Sequence, residues 1–373
     1  MGRLRVSRFL LLIICTWLLS IPSTSILSLN NVEIYYLSKR EGYYGLYVKR
    51  GRETLKLFDT RDILEANPNL ARYQISYDVS RDGRYVAYSA LDLSGEADIF
   101  LIDMRTGGVR NLTRDTRTDT SPVFSHDGEW IAFLSHERGV RRFDEIMLIH
   151  RDGTQRVRLT SPMHRISSLT FSPDDRNIMF VKRRGDRSTI TLLDIESAKL
   201  HDLTAPVCLS LSPQFSPSGD RIVYTSNCQD SLDIWIMNAD GSGKALLYKG
   251  SGDDYDPHFT GDGESVVFIS NYEDKILDEP TRFAVFSIEP EGGSARNLMP
   301  TRYTERQFFM SSIDVSLEQN LIYFQGKYAD RGRKSHYSIY SFDVEKSALK
   351  RVVFDEFDNM KPKARFNNTH LLQ

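Results

Sequence analysis

Cysteine is scarce in this 373-residue chain: Cys15, Cys208 and Cys228 are the whole supply, which excludes a framework of disulfides. An excess of either charge is also missing. Lys and Arg number 48 against 50 Asp and Glu, a formal net charge of −2, and the absence of a basic stripe argues against a nucleic-acid partner. Helix caps and helical periodicity are hard to find, and no low-complexity stretch or linker divides the chain. Long apolar runs are confined to the first thirty residues. A G-x-S-x-G nucleophile elbow does not occur, and no paired-carboxylate or nucleophile constellation stands out locally. A site assembled from distant segments would leave no local motif, so that last absence excludes little.

What is present is repetition. A segment of about 45 residues recurs from Ile75 to the C-terminus, a period that marks a β-propeller. Its copies start at Ile75, Ser121, Ser167, Ser212, Asp256 and, in worn form, Ser311. In each, an apolar run ending in Val79, Phe124, Phe171, Phe215, Phe259 or Val315 meets a tight turn and then an alternating run such as Trp130, Ala132 and Leu134. Alternation with period two predicts a half-buried strand. Pro173 and Pro217 preset φ in two of the turns, and Gly83, Gly128, Gly219 and Gly263 are free to take positive φ. A third strand follows (Asp98 to Leu101, Glu145 to Leu148, Asp233 to Ile236), then a Gly-containing turn and a fourth strand ending in Asn111-Leu112-Thr113, Arg158-Leu159-Thr160, Asp202-Leu203-Thr204 or Asn297-Leu298-Met299.

Four antiparallel strands per repeat make one blade, and a lone blade cannot bury both faces, so the blades stack around an axis. Residues 33–58 read as strands two to four of a further blade that lacks its first, and Lys361 to Phe366 resembles a first strand. The expected fold is all-β: a single propeller over residues 31–373, seven-bladed with the C-terminal strand closing the ring and leaving no open edge. Six blades is the alternative.

The N-terminus is a separate object. Arg3, Arg5 and Arg8 precede an apolar run from Phe9 to Leu19, followed by Pro22 and the small residues Ser23 to Ser25, the layout of a secretory signal over residues 1–25. The run is shorter than the roughly 20 residues a spanning helix needs. Continued through residues 26–29 it reads instead as an uncleaved anchor, so membrane association through residues 9–29 stays open. Either way the chain is expected to be exported, periplasmic or extracellular. Cys15 lies inside the apolar run behind Ile14, which disfavours a lipoprotein site. Export permits disulfides. Cys208 precedes the first strand of one repeat and Cys228 follows its second, equidistant from the turn at Ser218, so a Cys208–Cys228 bridge is expected, with two free thiols as the alternative.

The run from Ser212 to Gly241, with its F-S-P-x-G turn, D-I-W strand and A-D-G turn, resembles the WD-like repeat of the TolB family propellers (PD40 repeats). The likeness is good over residues 75–300 and weak elsewhere. It implies the propeller fold but little about function, because the repeated residues are turn formers and core packers. TolB carries a small α/β domain ahead of its blades, whereas here the first blade is expected almost directly after the signal, so the role of TolB in its envelope complex does not transfer. Relatives with this propeller include serine peptidases whose hydrolase domain follows the blades, and lyases of pectate fragments that hold a metal near the axis with histidines. Of the eight histidines here, His164 and His258 fall near the start of first strands, the innermost in a propeller.

Asp119, Asp254 and Asn359 stand three residues before Pro122, Pro257 and Pro362, in loops expected to rim one mouth of the channel with Asp253, Asp256 and His164. Asp119, Asp254 and Asp256 are thus candidate ligands for a hard cation such as calcium. The alternative is that each caps its own turn, and no cofactor is required. Connections between second and third strands are unequal, and they should open on the same face, bringing Arg138, Arg141 and Arg142 together with Glu273, Asp274, Lys275, Lys327, Arg331, Arg333 and Lys334. Functional residues gather on variable loops held by a rigid scaffold. The expected function is a non-enzymatic propeller binding a protein or peptide at the cell envelope; the alternative is a metal-dependent, lyase-like enzyme acting on carbohydrate at the channel mouth.

Overall fold

The computed structural model describes residues 32–40, 43–61, 65, 75–91, 96–137, 143–272, 282–299, 308–316, 321–328, 336–344, 346–355 and 358–366. Blade I takes β1 (Val32–Arg40), β2 (Tyr43–Arg50) and β3 (Glu53–Asp59). Blade II is β4 (Tyr77–Val79), β5 (Tyr85–Leu91), β6 (Ala97–Asp103) and β7 (Gly108–Asn111). Blade III is β8 (Thr118–Phe124), β9 (Trp130–His136), β10 (Phe143–His150) and β11 (Val157–Arg158), with β12 (Met163–His164) attached to β10. Blade IV is β13 (Ile166–Phe171), β14 (Asn177–Arg184), β15 (Arg187–Asp194) and β16 (Leu200–Asp202). Blade V is β17 (Ser210–Phe215), β18 (Arg221–Gln229), β19 (Ser231–Asn238) and β20 (Ala245–Tyr248). Blade VI is β21 (Asp254–Phe259), β22 (Val266–Tyr272), β23 (Arg282–Ile288) and β24 (Arg296–Asn297). Blade VII is β25 (Phe308–Ser316), β26 (Leu321–Tyr328), β27 (Ser338–Asp343) and β28 (Ala348–Val353), and β29 (Asp358–Phe366) ends the described chain.

The C-terminal β29 returns to blade I as its first strand, antiparallel to β1, in the order β29-β1-β2-β3. First strands touch in a closed cycle, β4 to β8, β13, β17, β21, β25, β29 and back to β4, so they form the innermost ring of seven blades. Seven hydrophobic clusters sit one at each blade interface, including that between blades VII and I, where Ile34 and Tyr36 meet Tyr323 and Ile339.

The second strands correct the half-buried reading. Every residue of β5 is buried, and on β1 Tyr35 and Leu37 pack toward blade II while Ile34 and Tyr36 pack toward blade VII. Both faces of a blade are covered, which is why these strands carry apolar residues at nearly every position.

The repeated sequence signals have local causes. In blades II to VI the hydroxyl opening the hairpin turn, a serine or Thr260, accepts from the amide that ends the turn, as Ser80 Oγ does from Tyr85 N (2.8 Å) and Ser125 Oγ from Trp130 N (2.9 Å). Gly83, Gly128, Gly219 and Gly263 take φ near 70 to 78°. Blade IV has Asp175 there instead, at φ 58°, and its carboxylate accepts from His126 N (2.7 Å) and Asp127 N (3.0 Å) of blade III. The Leu-Thr endings close the third strands: Thr113, Thr160 and Thr204 hydroxyls each accept from Ile99, Ile146 and Ile190 N–H at 2.9 Å. These amides would otherwise lie buried without a partner.

The structure joins Cys208 to Cys228 across the open end of the β17–β18 hairpin, with Cα atoms 5.3 Å apart, inside the range a disulfide spans. In oxidised protein the double substitution Cys208→Ser/Cys228→Ser is expected to cost about 3 kcal/mol, the loop-closure value for a separation near twenty residues. Urea unfolding of both forms measures this, alongside mass spectrometry of non-reduced peptides.

Candidate functional site

Six of the seven inner strands bulge at one position. Ser121, Ser168, Ser212, Asp256, Ser312 and Lys361 take φ between 48 and 58°, each where the pairing with the second strand shifts register. A bulge re-aims the residues around it. Beyond it, a ring of equivalent residues runs round the axis: Lys363, Asp78, Val123, Thr170, Gln214, His258 and Asp314, matched through their partners on the second strands.

An inner strand has no neighbour on its axial side, so its amides there need other partners. Side chains of the preceding blade supply them. Asp78 Oδ2 accepts from Phe124 N (2.9 Å), Asp256 Oδ2 from Ile313 N (2.7 Å), Asp314 Oδ2 from Ala364 N (2.8 Å), Gln325 Oε1 from Lys361 N (2.6 Å) and Ser76 Oγ from Ser121 N (2.8 Å). The axial carboxylates therefore staple blade to blade.

Where the ring closes, the staple is ionic. Lys363 Nζ lies 2.5 Å from Asp78, and Arg365 reaches Asp314 at 3.5 Å and Asp78 at 3.9 Å, so two cations of the last strand grip the blades on either side. Burial raises the Asp78 carboxyl, but Lys363 and Arg365 outweigh it and hold the group below its ordinary range. Burial and the neighbouring Lys363 push the Lys361 ammonium down. Tyr77, far above the ordinary phenol range through burial, donates to Tyr35 O (3.0 Å) and to Lys361 O.

Asp119, Asp254 and Asn359 occupy strands rather than loops, each fully buried and opposite a serine of the second strand: Ser135, Ser270 and Ser38. Asp119 meets Arg156 at 3.2 Å, and Asp254 accepts from Gly250 N at 2.7 Å. Asp256, two residues on, faces His258 at 3.7 Å. The structure does not gather Asp119, Asp254 and Asp256: among the described residues no group of three His, Cys, Asp or Glu is placed to hold a metal. His164 falls in β12, paired with Phe143 of β10, not on an inner strand, because the inner strand of blade IV begins only at Ile166.

Burial raises the Asp119 and Asp254 carboxyls to about 6, with Ser135 and Ser270 opposing it. A carboxyl near 3.8 when unfolded and 6 when folded favours the native state fully below pH 4, and the benefit disappears as pH rises through 6. Asp233 and Asp253 add repulsion at Asp254. Asp254→Asn, the amide that blade I already carries at Asn359, is expected to stabilise the protein by about 1–2 kcal/mol at pH 7.5 and leave it unchanged at pH 4. Denaturant melts at the two pH values check this.

One face of the ring carries the connections between second and third strands together with the entry to each inner strand. These connections range from the single residue Asp230 in blade V and residues 185–186 in blade IV to 273–281 in blade VI and 329–337 in blade VII. Lys327 stands at this face with its ammonium 4.4 Å from the Tyr337 ring centroid. Arg138, Arg141, Arg142, Arg331, Arg333 and Lys334, like Glu273, Asp274 and Lys275, lie outside the described residues, as do residues 1–31. Among the described residues no helix is long and apolar enough to cross a membrane.

Seven four-stranded blades closed by a C-terminal strand define a β-propeller, and residues 137–301 match the TolB beta propeller domain (PD40). Over those residues the chain resembles the TolB family propellers, and its fold is a seven-bladed β-propeller. In sequence it is 25% identical over 160 residues to dipeptidyl-peptidase 5 of Porphyromonas gingivalis, a match covering 39% of this chain and 23% of that protein. The chain thus spans about a quarter of that relative. In structure it is similar to a puromycin-hydrolysing peptidase of Mycobacterium tuberculosis (TM-score 0.65, 13% identity, 86% of this chain and 50% of that one) and to an oligogalacturonate lyase in complex with manganese (TM-score 0.58, 14% identity, 86% and 84%). These structural likenesses show the fold alone.

Proposed function

We propose that this protein is an exported, non-catalytic propeller that holds a protein or peptide partner on its loop-rich face at the cell envelope. The observation that carries this reading is the division of labour between axis and face. Carboxylates and cations at the axis are engaged in blade-to-blade bonds, while variation between blades concentrates in the connections of one face. Export rests on the charged, apolar and small-residue layout of residues 1–25. The combined substitution of Arg141, Arg142, Arg331 and Arg333 by Ala is expected to abolish co-purification of the partner from envelope fractions while leaving the thermal melt unchanged. Undiminished co-purification would remove the reading.

A second reading, a metal-dependent enzyme acting on carbohydrate in the channel, draws on the His258–Asp256 pair beside the axis and on the fold shared with the lyase. Its test is turnover of oligogalacturonate with added manganese or calcium, lost in His258→Ala.

A further inference from the structure

The tip of the β14–β15 hairpin concentrates positive charge. Lys182, Arg183, Arg184 and Arg187 crowd there against a single acid, Asp186, in a chain whose net charge is −2. Lys182 is neutralised by Asp202 at 2.5 Å, and Arg183 Nε donates to Gly185 O at 3.2 Å. Arg184 and Arg187 are exposed and make no ion pair with any described residue.

These cations rim a cavity of about 190 Å³ whose other walls include Met163 and Pro206. The cavity lies on the loop-rich face, at the passage from blade IV to blade V. Its wall is fixed in advance: Ser188 donates through its hydroxyl to Ser210 O (2.5 Å) and through its amide to Cys208 O (3.1 Å), tying it to the segment bridged to Cys228. A preformed apolar hollow with unpaired guanidinium groups at its rim suits one apolar side chain flanked by carboxylates.

We propose that this hollow is a docking site for an acidic peptide segment carrying an apolar anchor residue. The anchor would fill the space beside Met163 and Pro206, and the flanking carboxylates would pair with Arg184 and Arg187, whose planar forks match carboxylate geometry. A side-chain-sized apolar hollow favours a peptide over a membrane surface or nucleic acid, which would meet a broad basic face. The proposal rests on the loop-face reading above and names the chemistry of one partner contact.

Fluorescence anisotropy of a labelled Glu-Glu-Leu-Glu-Glu peptide titrated with the full chain tests it, against a Gln-Gln-Leu-Gln-Gln control. Expected is binding of the acidic peptide alone, weakened at least tenfold between 50 and 300 mM NaCl and at least tenfold by Arg184→Ala/Arg187→Ala with an unchanged melt. Replacing the peptide leucine by serine should also weaken it. Equal binding of the glutamine peptide, an unaffected double variant, or binding of anionic lipid vesicles in place of the peptide would each overturn the site. If the peptide fails while the envelope partner is still captured through the other loops, this site alone is wrong; loss of that capture requirement overturns the loop-face reading instead.

Discussion

A chain stopped before Asp358 is expected to lose cooperative folding. Sixteen residues are removed, nine of them β29, which pairs along the length of β1, places Ala364 in the interface between blades VII and I, and bonds through Asp314 and Asp78 to both neighbours. Without it β1 becomes an open edge at the axis and the ring is a horseshoe. The loss is comparable to the whole stability of a domain, on the order of 5–15 kcal/mol. A synthetic peptide of residues 358–366 added in trans should restore part of the melt by strand addition. A truncated chain that melts like the full one would show that blade stacking alone holds the ring.

The second large effect is expected at Asp78. Its carboxylate serves Phe124 N, Lys363 and Arg365 at once and is itself buried. Asp78→Ala strands Lys363 and an amide of β8 and leaves Arg365 with Asp314 alone, a change expected to cost about 3–5 kcal/mol by the rule for breaking a buried pair. Because the folded carboxyl sits below its unfolded value of 3.8, its contribution is complete above pH 4 and is lost as pH falls further. Asp78→Ala should therefore flatten the acid limb of the stability profile, and Lys363→Met alone should weaken it less, since Arg365 remains. Equilibrium unfolding from pH 2.5 to 7 separates these outcomes.

The blades were legible because each strand ending and each turn recurs for a chemical reason that survives divergence. Ser-x-Asp-Gly turns need a hydroxyl and a positive φ, and Leu-Thr endings need a threonine hydroxyl over an amide. Closure was legible from the missing first strand of residues 33–58. The bulge on the inner strands left no such mark, because serine, aspartate and lysine all fill it. The axial residues were misplaced for a related reason: three residues before a proline looked like a loop, whereas the bulge at Ser121, Asp256 and Lys361 lets the strand begin earlier and turns Asp119, Asp254 and Asn359 into the blade. The ionic seam joins residues about 285 positions apart, beyond any local pattern. The hollow of blade IV lies beside a connection of only two residues, 185–186, which carries no loop pattern to mark it.

Lysine crosslinking of the full chain in its native envelope fraction, read by mass spectrometry, tests the central claim most directly. Lys39, Lys182 and Lys327 mark the loop-rich face, whereas Lys199, Lys244 and Lys346 lie in the turns of the opposite face. The account predicts crosslinks to one protein partner through the first set. Crosslinks confined to the second set, or none to any protein, would contradict it.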